Sequence, residues 1–172
     1  SWNDLFNYLS KVEKFPINLI LASGLAISKD NSDKIYDRFR NRLIVPIHDM
    51  QGRVVAFGGR SLDGQEPKYL NSPESEIFEK GKMLFAFEKA SSNIRKKDKA
   101  IIVEGYFDVI SLHAKGINNS VASLGTALNK YQISQLCRCT DNKNIILNFD
   151  SDNAGILATK RVIKEVESLS LH

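Results

Sequence analysis

An α/β fold in two parts is what this sequence predicts: an α+β N-terminal part with a small mixed sheet, then a parallel sheet flanked by helices. Three observations carry it. Two short apolar runs, RLIVPIHD (42–49) and RVVAFGGRS (53–61), stand close together as a strand pair does. After residue 100 the rhythm changes, and the apolar runs AIIVEG, NSVASLG and NIILNFD each precede a helical pattern. Strands that are each followed by a helix build a parallel sheet with helices on its faces. The charged stretch Lys96–Lys99 separates the two rhythms, which places a boundary between subdomains 1–96 and 97–172.

The elements follow in order. Trp2, Leu5, Phe6 and Leu9, then Ile17, Leu19, Ile20 and Leu25, recur at helical spacing. They predict two short helices interrupted near Pro16, which cannot continue a helix, the second ending at Ser23-Gly24. Residues 29–34 (KDNSDK) read as a polar loop. The runs 42–49 and 53–61 are strands joined as a hairpin through Met50-Gln51-Gly52. PKYLNSPE (67–74) is too rich in proline and asparagine for a central strand and fits an edge strand or an ordered loop. Residues 82–95 read as a helix. Beyond the boundary come a strand at 100–105 and a helix over 106–116, a strand at 119–125 and a helix over 129–140, and a strand at 144–150 with a helix over 153–169.

With 42% hydrophobic and 26% charged residues in 172, the chain has enough apolar content for a core. Twenty-four Lys and Arg against twenty Asp and Glu leave a net charge of +4. The distribution says more than the sum, because residues 34–99 are dense in Lys and Arg while Glu104, Asp108, Asp150 and Asp152 stand beside apolar runs. A basic surface with an acidic pocket suits a polyanion handled through cations. No apolar run approaches the ~20 residues that span a bilayer, and no signal-peptide pattern opens the chain. Cys137 and Cys139 diverge by about 200° on a helix, so they do not pair with each other; with no CxxC for zinc, they read as buried thiols of a reducing cytosol. His48, His113 and His172 stand at no metal-ligand spacing and receive no catalytic role.

The acids carry the chemistry. Ligands of open α/β sheets gather at the carboxyl ends of the strands, where Glu104, Gly125 and Asp150 fall. Asp150 comes 46 residues after Glu104, Asp152 follows it in a DxD, and Asp108 is about one helical turn beyond Glu104. Gathered carboxylates repel one another, and divalent cations relieve that cost. Mg²⁺ takes oxygen ligands and keeps several waters, so a few carboxylates suffice. A DxD alone is weak, since acids at helix N-termini are common caps. Paired with an IIVEG strand end, it is far more specific.

VEGYFDV, ASLGT and NFDSDNAG, in that order, resemble the Toprim motifs of bacterial DnaG-type primases. Upstream, YDRFRNRLIVPIHD, GRVVAFGGR and PKYLNSPESEIFEKG resemble the basic N-terminal subdomain of the primase polymerase core. The resemblance runs from about Tyr36 to the end, and more loosely through the first helices. It implies DNA-templated synthesis of short RNA primers from ribonucleoside triphosphates, in the cytoplasm at the replication fork. It implies catalytic acids at Glu104, Asp108, Asp150 and Asp152, with two or more Mg²⁺ or Mn²⁺ ions held by Glu104, Asp150 and Asp152. Arg60, Lys68, Tyr69, Asn71 and Lys80 match family positions that hold template or nucleotide phosphates, and Gly125 and Thr126 match a turn beside the metal site. The implied partners are a single-stranded DNA template, the nucleotides and the RNA–DNA hybrid, with no membrane. A replicative helicase would bind through a C-terminal domain absent from these residues, and zinc would belong to another absent domain. A further acidic cluster of the family core is also missing, so the chain reads as an incomplete core. Its last sheet edge should expose apolar surface and favour pairing between chains. Two other readings stay open: another Toprim enzyme, a nuclease or topoisomerase relative, and a non-catalytic single-strand-binding module.

The basic residues make the same sense by themselves. Arg grips phosphate in bidentate fashion and Lys acts as a point charge. Gly58-Gly59 allows close backbone approach of a ligand or partner, Tyr69 suits stacking on a base, and Asn71 suits a sugar or phosphate. For Arg38, Arg40 and Arg42, a solvated charged face and a phosphate grip fit equally well.

Overall fold

The computed structural model describes residues 2–28 and 34–170; of the polar loop over 29–34 only Lys34 lies within it, and His172 lies outside. The chain forms two compact units, one of Ser1–Ile47 with Val55–Phe78 and one of His48–Val54 with Glu79–His172.

In the first unit, helix α1 (Asp4–Asn7) runs into a π-helical turn (Tyr8–Val12), and α2 spans Ile17–Ala22. Pro16 caps α2 with ψ at 136°, the extended geometry that interrupts the helical path. Two strands too short for a periodic signature, β1 (Ala26–Ser28) and β2 (Ile35–Asp37), pair antiparallel. Buried Asp37 of β2 accepts the N–H groups of Leu5 (2.9 Å) and Phe6 (2.8 Å), two donors that a helix start leaves unsatisfied. Gly24 ends α2 at φ +70°, and a Cβ there would meet Pro73 Cδ at 2.4 Å.

The second sheet of this unit runs β3 (Arg42–His48), β4 (Val54–Ser61), β5 (Tyr69–Asn71), in that spatial order. The β3–β4 turn, whose residues 48–54 count with the second unit, closes through Asp49 O accepting from Gly52 N–H (3.0 Å) and Arg53 O accepting from Asp49 N–H (2.9 Å). So short a connection joins only antiparallel strands, and β4–β5 is antiparallel too. The sheet is therefore antiparallel throughout rather than mixed, and β5 takes the edge position expected of PKYLN.

In the second unit a 3₁₀ turn (Lys80–Lys82) leads to α3 (Phe87–Lys97). The helix starts at Phe87 and not at residue 82, because Phe85 N–H pairs with Ala122 O (2.8 Å) and Ala86 sits at φ +61°. Then come β6 (Ala100–Val103), α4 (Tyr106–Ala114), β7 (Ser120–Ala122), α5 (Lys130–Cys137), β8 (Ile145–Asn148) and α6 (Asn153–Ser170). The sheet order is β7-β6-β8, all parallel, as the strand–helix alternation predicts. Ile102, Val121, Ile94, Ile133 and Leu136 are fully buried, each stabilising the core by roughly 1.5–3 kcal/mol. Strand β8 is the open edge, with Ile146 43% exposed and an apolar groove of about 660 Å³ between α5 and α6. Cys137 closes α5 and Cys139 lies past its end; both are free, and burial pushes the Cys137 thiol up. Among the described residues no helix is long and apolar enough to cross a membrane.

Candidate active site

Three parallel strands deliver the segments after Val103, Ala122 and Asn148 to one end of the sheet. Glu104 follows β6 directly, and Asp150 lies two residues past the neighbouring β8. The two are joined: Asp150 N–H donates to Glu104 Oε1 at 3.0 Å. Gly155 in the first turn of α6 closes on this pair. A Cβ there would lie 2.0 Å from Asp150 O and 2.9 Å from Glu104 Oε1, so only glycine admits the contact. Asp152 caps α6, its Oδ1 accepting Gly155 N–H at 2.8 Å and its carbonyl accepting Ile156 N–H at 3.0 Å. Asp108 likewise turns to its own helix, its Oδ2 accepting Gly105 N–H at 3.1 Å at the start of α4.

The structure thus brings Glu104 and Asp150 together and commits Asp108 and Asp152 to helix starts. All four side chains are exposed. Among the described residues no three His, Cys, Asp or Glu side chains gather as a ready metal cage. The donor chemistry still fits a hard, water-retaining ion, which takes one or two carboxylates and completes its shell with water and substrate phosphate. Gly125, at φ +76°, and Thr126 form an exposed turn after β7. His48 Nδ1 lies 3.6 Å from Glu88 Oε1, and His113 Nε2 lies 3.0 Å from Ser120 O.

The basic surface of the first unit is built on the β4–β5 pair. Register sets Arg60 opposite Tyr69 and Gly58 opposite Asn71. The Arg60 guanidinium lies 5.9 Å and the Lys68 ammonium 5.7 Å from the Tyr69 ring, which is 45% exposed. Two cations and an open aromatic face thus share one small surface. Lys80 belongs to the second unit, half-buried at the head of the 3₁₀ turn.

Arg38, Arg40 and Arg42 are neither a solvated face nor an open grip. Arg38 donates from Nε (3.2 Å) and Nη2 (2.9 Å) to Asn71 O, and its burial lowers its pKa. Arg42 Nη1 donates to Pro67 O (2.7 Å) and Lys68 O (3.4 Å). The two hold opposite ends of β5, the strand that carries Tyr69 and Asn71. Arg40 donates to Asp37 O and lies 4.7 Å over the Trp2 ring. The bare face of Gly59 admits Phe39 and Arg42, 2.8 and 3.0 Å from where a Cβ would stand, so its close approach is to side chains of its own chain. Nothing in the local sequence marks Arg38 or Arg42 as clamps, because their carbonyl partners lie about thirty residues away.

The family model described as "DNA primase catalytic core, N-terminal domain" matches residues 1–91. The chain belongs to this DNA primase catalytic core family. A Toprim-like model matches residues 101–172. The DNA primase of Synechococcus elongatus is 54% identical over 169 residues, covering 98% of this chain and 24% of that protein. Primases of Synechocystis and Pseudomonas aeruginosa are 48% and 41% identical. A primase domain structure from Pseudomonas aeruginosa superposes with a TM-score of 0.87 at 41% identity, covering 96% of this chain and 51% of that one. A DnaG primase catalytic domain bound to single-stranded DNA superposes at 0.82 with 38% identity, covering 96% and 50%. The chain therefore spans about a quarter of the curated primases it matches and about half of these solved domains.

Proposed function

We propose that this chain is part of a primase that builds short RNA primers on single-stranded DNA by metal-assisted nucleotidyl transfer. The observation that carries the proposal is the Glu104–Asp150 link at the carboxyl ends of adjacent parallel strands, inside the Toprim-like match. Its substrates would be the template and ribonucleoside triphosphates, its product an RNA–DNA hybrid, and its place the cytoplasmic replication fork. A helicase contact would lie in a domain outside these residues. The functional boundary would fall in the charged stretch at 97, between the two matched ranges.

In the reaction a primer 3′-hydroxyl attacks the α-phosphorus of the incoming nucleotide, a P–O bond forms, and pyrophosphate leaves with the broken one. Bound Mg²⁺ or Mn²⁺ supplies charge neutralisation and a more acidic hydroxyl. Glu104 and Asp150 would hold it, with Asp152 completing the donor set. The Asp150 N–H fixes one oxygen of Glu104, so that carboxylate is oriented before any ligand arrives. Asp108 and Asp152 would shape the site through the helices they cap. Arg60 and Lys68 would hold template phosphates, Tyr69 would stack on a base and Asn71 would bond to sugar. Lys80 would meet nucleotide or template phosphate, and Gly125 and Thr126 would form a backbone turn beside the metal site.

The test is primer synthesis by the complete primase carrying Glu104→Gln, with folding followed by thermal melting. Loss of Mg²⁺-dependent product from a folded variant supports the proposal. Wild-type yield would sink it.

A further inference from the structure

Helix α5 begins with a capping box in which each amide side chain has a spare end. Asn129 N–H donates to Gln132 Oε1 (3.2 Å) and Gln132 N–H donates to Asn129 Oδ1 (3.1 Å), so both side-chain oxygens serve the helix. Both NH₂ groups point the other way, across about fifty residues, into the turn that carries Lys80. Asn129 Nδ2 donates to Gly81 O at 2.8 Å. Gln132 Nε2 donates to Met83 O at 2.7 Å and to Lys80 O at 3.2 Å. Gln132 is fully buried, a place where an amide is held only if its donors and acceptors are met. Three carbonyls of the turn, those of residues 80, 81 and 83, are therefore gripped from one helix start.

The gripped segment is short. It is a single 3₁₀ turn with two backbone bonds, Lys82 N–H to Glu79 O (2.9 Å) and Met83 N–H to Lys80 O (3.3 Å). Short 3₁₀ segments have poorer hydrogen-bond geometry than an α-helix. Within it, the Lys82 ammonium pairs with Glu79 at 2.7 Å.

We propose that Asn129 and Gln132 are positioning residues: through the α5 capping box they set the 80–83 backbone and so aim Lys80 at a phosphate. The proposal rests on the reading of Lys80 as a polyanion contact. It adds that the segment following the Gly125-Thr126 turn tunes that contact without touching the substrate. A lysine is a flexible point charge, so its value at a phosphate depends on where its backbone is fixed.

The test uses the 172-residue chain, a fluorescein-labelled single-stranded oligonucleotide, and Asn129→Ser. Serine ranks with asparagine as a helix N-cap, so the cap survives while the amide that holds Gly81 is lost. Melting temperature stays as in wild type, and amide exchange at Lys82 and Met83 quickens about tenfold, confined to that turn. Affinity for the oligonucleotide falls, and the slope of log affinity against log salt becomes shallower by about 0.7, the value of one single-strand phosphate contact. A cap with a merely structural role would leave that slope unmoved. Lys80→Ala gives the same slope, and the double variant adds nothing further, as expected when one residue acts through another.

Unchanged exchange in the turn overturns the proposal, and so does an additive double variant. If Lys80→Ala binds the oligonucleotide as wild type does, the polyanion reading of Lys80 fails and takes the functional half of the proposal with it; the exchange rates then decide separately whether Asn129 holds the turn. Should Asn129→Ser melt early, Asn129→Asp repeats the measurement with a charged cap that is an acceptor only and cannot hold Gly81 O.

Discussion

Asp150 gives its backbone N–H to Oε1 of Glu104 at 3.0 Å, so two acids 46 residues apart in sequence share one hydrogen bond. The bond needs an oxygen at that position but not a charge. Glu104→Gln keeps a side-chain oxygen there, and its denaturant midpoint should match wild type while primer synthesis by the complete enzyme is lost. Glu104→Ala removes the acceptor as well and should cost about 0.5–1.5 kcal/mol in addition. Equal stability of the two variants would show that the bond contributes nothing to the fold.

Gly155 should be as sensitive as the acids it touches. A methyl group at 2.0 Å from Asp150 O cannot be accommodated without moving the start of α6 or the Asp150 backbone. Gly155→Ala should destabilise the second unit by about 1–3 kcal/mol and abolish activity with every carboxylate intact. Urea unfolding with a parallel primer assay checks both parts; wild-type activity would mean that the Glu104–Asp150 geometry is not required.

Metal binding separates the acids by role. Calorimetric titration of this chain with Mn²⁺ should give a binding isotherm that Asp150→Asn removes, while Asp108→Asn, outside the proposed donor set of Glu104, Asp150 and Asp152, weakens it less. Equal loss in both variants would make Asp108 a ligand in its own right. No binding in any form would overturn the metal reading of Glu104 and Asp150 in this chain.

Arg38 should not tolerate lysine. Its fork places two donors on Asn71 O, which one ammonium on a flexible stem does not reproduce. Arg38→Lys should quicken amide exchange in β5 and cost about 1.5–3 kcal/mol, the range for bonds from a charged donor. Unchanged exchange at Tyr69 and Asn71 would show that Arg38 does not hold the strand.

Asp98 should contribute to acid sensitivity. The Asn142 side-chain amide, with the N–H groups of Asn142 and Asp141, holds its carboxyl below the usual carboxylate range. A carboxyl depressed in the fold stabilises above its unfolded pKa of about 4 and loses that contribution as pH falls through the folded value. Asp98→Asn should therefore flatten the stability-against-pH curve below about pH 4 and leave its shape unchanged near neutrality. An unaltered acid limb would exclude Asp98 as a contributor.

The sequence by itself determined the parallel sheet, the order of its strands and helices, and the acids at its carboxyl end. These follow from local rules: an apolar run of four to seven residues before an amphipathic one makes a strand then a helix, and Glu104 and Asp150 stand where such strands stop. The hairpin at 49–53 and the edge position of PKYLN were legible for the same reason, since turn residues and prolines act on their own backbone. Only the tertiary structure decided how far those acids are already committed. Capping at Asp108 and Asp152 depends on which way a side chain turns, and both a cap and a ligand begin from the same residue at the same place. It also decided what the basic residues do. Arg38 and Arg42 grip carbonyls near thirty residues away, and Asn129 and Gln132 grip carbonyls near fifty residues away. No periodicity records such contacts, because they are made by chain segments that meet only once the sheets have formed.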